Sequence, residues 1–174
     1  MFNKEMLDKE RPESSAIELR MPSLADGVAV NSLVERCQPL DTNSTYCNLL
    51  QCGHFASTSV AAEKDGEIVG FVSGYLLPNR PNTLFIWQVA VSEEARGCGL
   101  GKKMLQHIVN RQRGSGVKYI ETTITEDNDA SWGLFKVFAK LVNADLQAVD
   151  WLDALEHFDG QHDSETLVKI GPLH

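Results

Sequence analysis

Residues 85–109, FIWQVAVSEEARGCGLGKKMLQHIV, pass from an apolar stretch through a short acidic turn into glycines at every second position, Gly97, Gly99 and Gly101. Arg96 stands in front of them, and Lys102 and Lys103 follow. Upstream, TLFIWQVAV (83–91) predicts a strand; downstream, Leu100, Met104, Leu105, Ile108 and Val109 mark one face of a helix. A strand that enters a helix through glycines aims bare backbone N–H groups at the positive helix end, where a large anion can lie against the chain. The other reading is a glycine-rich connection that binds nothing. Two phosphate loops are excluded. With Gly101-Lys102 as the GK of GxxxxGK[ST], Arg96 fills the first glycine slot and Lys103 the hydroxyl slot. A GxGxxG fingerprint needs its third glycine at position 102 or 104, where Lys102 and Met104 stand.

The pattern on either side of this turn is mixed. IELRMP (17–22) alternates as a strand, and LADGVAVNSLVERC carries Val28, Leu33 and Val34 at helical spacing behind a candidate Asp26 cap. Ser44 caps a second helix through Tyr46, Leu49 and Leu50. STSVAAE and EIVGFVSGYLLP are strands joined at Lys64-Asp65-Gly66, where Asp-Gly signals a hairpin. Gly114 and Gly116 end the helix after the glycine turn, and KYIETTIT, DNDASWGLFKVFAKL and ETLVKI follow as strand, helix and strand. The order β-α-α-β-β-β-α-β-α-β predicts an α/β (α+β) fold with a mixed, mostly antiparallel sheet and helices on both faces. Residues 1–15, charged and proline-containing, predict a flexible N-terminal tail, and residues 16–174 a single domain.

Composition bounds the partners. A net charge of −8 argues against nucleic acid, although Arg96, Lys102 and Lys103 form a local basic patch. No apolar run approaches the roughly 20 residues that cross a bilayer. The start MFNKEMLDKERPESS lacks a signal-peptide core, so no membrane partner and a cytoplasmic location are expected. Cys37, Cys47, Cys52 and Cys98 form no CxxC pair and have no histidines at zinc-ligand spacing, which predicts buried or idle thiols. His157, His162 and Asp163 are a weak metal set, and no metal is expected.

VSEEARGCGLGKKML resembles the signature of the Gcn5-related N-acetyltransferase (GNAT) family, the [RQ]xxGxG part of whose [RQ]xxGxG[AG] segment corresponds to Arg96-Gly97-Cys98-Gly99-Leu100-Gly101. The downstream strand YIETTIT and the helix opening at Asn128 extend the match. The resemblance implies the GNAT fold and acetyl-CoA as co-substrate. It implies that Arg96, Gly97, Cys98, Gly99, Leu100, Gly101 and Lys102 hold the CoA pyrophosphate, and that pantetheine lies between WQVAV and ETTIT along Val89 and Val91. Asn128, Trp132 and Phe135 of the next helix would also meet it. The blocks CQPLDTNSTYCNLLQCGHFASTSVAAE, FVSGYLLP, LFIWQVAV, ETTITEDNDASWGLF and HDSETLVKIGP are similar to the diaminobutyrate-acetylating branch of the family. That likeness implies acetylation of the γ-amine of L-2,4-diaminobutyrate for synthesis of ectoine, a compatible solute, by a homodimer. Alternatives are another small diamine or basic amino acid as acceptor, a protein N-terminus as acceptor, or a non-catalytic acyl-CoA-binding module.

Acetyl transfer to an amine needs a neutral amine, a donor for the developing oxyanion and a route for the proton. By resemblance the backbone N–H of Val89 is the oxyanion donor. IWQVAV has no carboxylate where many family members carry one, which leaves Glu121 on the neighbouring strand as a base acting through water, or as a structural acid. The slot in which the family often places an acidic tyrosine holds Phe135, which cannot donate a proton. A diamino acid also needs anionic groups for ammonium and a donor for carboxylate. Asp41, Asn43 and Tyr46 of PLDTNSTY are candidates, with His162 and Glu165 before the last strand. Trp87, counted by alternation, shares a strand face with Val89 and Val91 and could wall the pocket or belong to the core.

Overall fold

A computed structural model of the chain describes residues 16–38 and 40–174; the tail expected over residues 1–15 lies outside them. The strands are β1 (Glu18–Arg20), β2 (Val60–Lys64), β3 (Glu67–Leu77), β4 (Arg80–Val91), β5 (Tyr119–Thr125), β6 (Asp145–Leu152) and β7 (Glu165–Gly171). The helices are α1 (Gly27–Arg36), α2 (Thr45–Gly53), α3 (Leu100–Arg111) and α4 (Asp129–Leu141). One sheet holds the strands in the order β1-β2-β3-β4-β5-β7-β6. All neighbours are antiparallel except β4 and β5. The mixed, mostly antiparallel sheet with helices on both faces is therefore as expected, with β6 added.

Local chemistry explains most of the elements. Asp65 and Gly66 both have positive φ, 54° and 82°, as a two-residue hairpin turn between twisted strands requires. Ser44 accepts from the Cys47 N–H at 3.2 Å and Asn128 from the Ser131 N–H at 3.0 Å, so both cap their helices. On α3 the buried stripe is Leu100, Met104, Leu105 and Ile108. It packs with Phe135 and Phe138 of α4 on one face of the sheet, against Val72, Leu84 and Ile86. On the other face α1 and α2 bury Val30, Leu33, Val34 and Cys52 against Ala61, Phe71 and Ala90.

Two local expectations are corrected. Val28 is 64% exposed, and the inward face of α1 is carried by Val30, Leu33 and Val34 instead. Asp26 makes no side-chain cap for α1. Its carboxylate accepts from Arg20 at 2.9 and 2.7 Å and from the Ser23 N–H at 2.7 Å, and the guanidinium holds its pKa down to about 2. Arg20 on β1 offers the carboxylate a two-point ion pair, which holds it away from the first N–H groups of α1.

Candidate active site

The site begins where β4 and β5 part. Their parallel pairing covers Thr83 with Tyr119, Leu84 with Ile120 and Phe85 with Glu121, and stops there. Beyond it β4 pairs with β3 and β5 with β7, leaving a V-shaped opening between them. The hydrogen-bond alternation of antiparallel strands fixes which groups face that opening. Ser92 donates its N–H to Val69 O at 2.9 Å, so the next pair, Val91 with Gly70, does not exchange bonds with β3, and neither does Val89 with Val72. The Val91 carbonyl confirms the direction: it accepts from Arg96 Nε at 3.1 Å and Cys37 Sγ at 3.3 Å, outside the β3–β4 ladder. The Val89 N–H thus points into the opening.

On the α3–α4 side the opening widens into a groove of about 630 Å³. Val89, Val91 and Arg96 line one wall, Gly97, Gly99, Leu100, Gly101 and Lys102 the turn, and Asn128 the α4 side. Gly97 and Gly99 have φ of +78° and +73°, backbone shapes that side chains with a Cβ rarely adopt. Gly99 is the N-cap of α3 and offers no side-chain bond, so the first N–H groups of the helix remain available to a ligand. Gly101 differs. It is helical, and a Cβ there would meet the Leu134 methyls at 3.3 Å, so its smallness lets α3 and α4 approach. These features fit a pyrophosphate: bare donors at a positive helix end, cations on both flanks, and no side chain in the way.

Three expected cofactor residues do not line the groove with their side chains. Cys98 is exposed and donates its thiol to Ala95 O at 3.2 Å. Trp132 is half-buried and donates its indole N–H to Thr125 O at 3.1 Å, which ties α4 to β5. Phe135 is 2% exposed and belongs to the core, because the buried stripe of α4 runs through Phe135, Phe138 and Ala139 while Gly133, Leu134 and Val137 turn toward the groove. Segments that sequence left unassigned complete the wall, namely Cys37, Gln38 and Leu40 beyond α1.

The opposite face of the opening carries the charged candidates. His162 Nε2 lies 3.4 Å from Asp41 and 3.9 Å from Glu165, bringing Asp41, remote in sequence, against two residues at the entry to β7. His162 Nδ1 is 2.7 Å from the Asp163 carbonyl, which can only accept, so Nδ1 carries a proton. That carbonyl bond raises the His162 pKa, and the two carboxylates beside Nε2, toward which a neutral ring would turn a lone pair, raise it further. Burial pushes the Glu165 carboxyl up as well, and its Oε2 is enclosed without a hydrogen-bond partner. Asn43 donates to Gln88 Oε1 at 3.0 Å and Gln88 Nε2 to the Asp41 carbonyl at 3.2 Å. The glutamine of IWQVAV thereby pins the loop before α2 onto β4, a role that its sequence position did not reveal.

Trp87 is corrected in its orientation. The β3–β4 register shifts between Ser73 and Gly74, pairing them with Gln88 and Ile86 and leaving Trp87 bulged. Val89 packs toward the α3–α4 core, whereas the Trp87 ring meets Tyr75 edge-on at 6.3 Å, and Tyr75 meets Phe85 at 5.4 Å. Trp87 is 46% exposed on this charged face and not core. Tyr46 is 70% exposed at the start of α2. Glu121 is 2% exposed, and both of its oxygens accept from Arg80, at 2.6 and 2.8 Å, so proton transfer through it would have to break that pair. Among the described residues no group of three or more histidine, cysteine or acidic side chains is placed to hold a metal.

The model of the acetyltransferase (GNAT) family matches residues 28–139. The chain belongs to the GNAT acetyltransferase family. The L-2,4-diaminobutyric acid acetyltransferase of Methylotuvimicrobium alcaliphilum is 50% identical over 157 residues, covering 90% of this chain and 91% of that protein. The enzyme of the same name from Vibrio parahaemolyticus is 49% identical over 151 residues, 87% and 83% of the two chains. Among solved structures, the diaminobutyrate acetyltransferase EctA from Paenibacillus lautus, in complex with its substrate L-2,4-diaminobutyric acid and coenzyme A, aligns with a TM-score of 0.86 at 38% identity, over 91% of this chain and 96% of that one. The ribosomal-protein-S18-alanine N-acetyltransferase from Escherichia coli, at 12% identity and a TM-score of 0.70 over 91% and 96% of the chains, shares the GNAT fold alone.

Proposed function

We propose that this GNAT acetyltransferase transfers the acetyl group of acetyl-CoA to the γ-amine of L-2,4-diaminobutyrate, giving N4-acetyl-L-2,4-diaminobutyrate for ectoine synthesis. The observation that carries the substrate class is the acidic acceptor face, where Asp41 and the buried, partnerless Oε2 of Glu165 await an ammonium group. The diaminobutyrate acetyltransferases named above supply the particular amine.

The chain contributes chiefly position. The glycine turn and α3 hold the CoA phosphates, and the opening directs the thioester toward the Val89 N–H, which donates to the carbonyl oxygen as negative charge develops there. Asp41 and Glu165 orient the diamino acid from the other face, with Trp87 as a wall and Asn43, Tyr46 and His162 at the rim. Holding amine and thioester in attack geometry supplies roughly 7 kcal/mol or more in favourable cases. Proton removal then proceeds through water or from an amine already neutral, and the CoA thiolate leaves without help from Phe135. A homodimer and a cytoplasmic location belong to this proposal by family likeness; sedimentation of the purified protein tests the dimer. The substrate assignment is tested by a screen of diamines and basic amino acids with acetyl-CoA, read as free thiol. Diaminobutyrate is the preferred amine, and lysine, two methylenes longer, is poor. Equal turnover of lysine would overturn the assignment.

A further inference from the structure

We propose that Arg80 is the receptor for the α-carboxylate of the amino-acid substrate and that Glu121 is the counter-ion that aims it; the inference rests on the acceptor reading above. Glu121 is the last β5 residue paired with β4, opposite Phe85, and therefore stands at the apex of the opening. Residues paired across strands project to one face, so Glu121 lies on the side of Phe85, Tyr75 and Trp87. Two residues on, Thr123 shares that face, and Glu165 opposite Thr125 continues the row toward His162 and Asp41.

This face offers a diamino acid carboxylates in plenty, and the carboxylate of the substrate needs a cation among them. Among the described residues three cations stand near. His162 is held between Asp41 and Glu165, and the Lys169 ammonium lies over the Tyr119 ring at 4.1 Å. Arg80 is the third. Its side chain is 46% exposed while Glu121 beneath it is 2% exposed, so a buried carboxylate anchors a guanidinium that still faces solvent. Two of its N–H groups go to Glu121; a guanidinium has five, which leaves three for a second carboxylate.

The spans agree. A hydrogen bond to Arg80, the carbon chain of diaminobutyrate and the approach of its amine to the thioester together cover roughly 11 Å. The run from Phe85 at the apex to Val89 covers about 13 Å at strand rise, less the shortening by the bulge at Trp87. A substrate held at one end by Arg80 thus presents its far amine near the Val89 N–H.

The test compares diaminobutyrate with 1,3-diaminopropane, the same diamine without the carboxyl group. Steady-state kinetics are measured on the wild-type enzyme, on Arg80→Lys, on Arg80→Gln and on the double variant Arg80→Gln/Glu121→Gln, which leaves no buried charge unpaired. The expected result is a fall of about 100-fold in the diaminobutyrate-to-diaminopropane ratio of kcat/KM for both glutamine variants. It arises mainly from KM for diaminobutyrate, with partial rescue by lysine and an unchanged KM for acetyl-CoA. A double variant that binds CoA and keeps the ratio within about threefold of wild type, or loses both amines equally, overturns the proposal and leaves Arg80 as a neutralising partner only. A wild-type enzyme inert toward diaminobutyrate overturns the underlying substrate reading, and this inference with it.

Discussion

Replacing Gly99 by valine separates the two reasons for the glycine turn. Gly99 has φ of +73°, and a Cβ built there meets only Lys102 Cε at 3.9 Å, so the space is open and the penalty in the free protein is conformational. A left-handed residue with a Cβ costs roughly 1–2 kcal/mol, a loss that a domain with about 5–15 kcal/mol of stability survives. The branched side chain does, however, stand at the N-cap of α3, over the N–H groups proposed to meet the pyrophosphate. Losing one hydrogen bond to a charged group costs about 1.5–3 kcal/mol, which is about 10- to 150-fold in affinity. Gly101→Val acts by another route, since its Cβ crowds the Leu134 methyls at 3.3 Å; overpacking of that kind removes about 1–3 kcal/mol of stability. Calorimetric titration with CoA, beside urea unfolding, reads the two effects apart. A folded Gly99→Val variant with unchanged CoA affinity would show that the turn holds no anion.

Other consequences follow from the charged groups. Glu165→Gln raises KM for the amine by about 10- to 100-fold, because a mostly buried oxygen without a partner is lost, whereas Asp41→Ala raises it only about two- to fivefold, since Asp41 is 83% exposed; steady-state kinetics on both variants check the order. Glu121→Gln lowers turnover by no more than about tenfold, well short of the 10²–10⁴ of an obligatory base, and a thousandfold loss in folded protein that binds both substrates would make Glu121 that base. Asp26, held down to about 2 by Arg20, contributes stability that is full above the unfolded carboxylate pKa and lost as pH falls from about 4 to about 2. Asp26→Asn abolishes that acid dependence, which unfolding midpoints from pH 6 to pH 2 measure.

The glycine turn was legible because its requirements are local: positive φ at Gly97 and Gly99 and a helix end opening next to them. So was the Ser44 cap of α2. Strand β6 was not, since DLQAVDWL mixes two aspartates with exposed Val149 and Trp151 on a strand at the sheet edge, where one side of the ladder has no neighbour to demand a pattern. Trp87 was assigned to the wrong face because alternation carries no trace of a bulge, and one extra residue reverses every face beyond it. Phe135 was placed by motif register, while the packing of α4 is set by a stripe that includes it. The Arg80–Glu121 pair joins residues 41 apart through the β4–β5 register, and the Asp41–His162–Glu165 cluster depends on where β7 returns beside β5. Such contacts are properties of topology, and a sequence can nominate their members without assembling them.

The proposed reaction places acetyl on one particular nitrogen, the γ-amine. Incubating the purified protein with acetyl-CoA and L-2,4-diaminobutyrate, then locating the new amide by NMR and fragment mass spectrometry while free thiol is counted, tests it directly. One thiol is released per molecule of N4-acetyl-diaminobutyrate formed, at a rate that rises with pH as the γ-amine loses its proton. Acetylation at the α-nitrogen, or thiol release without an acetylated diamine, would contradict transfer to the γ-amine.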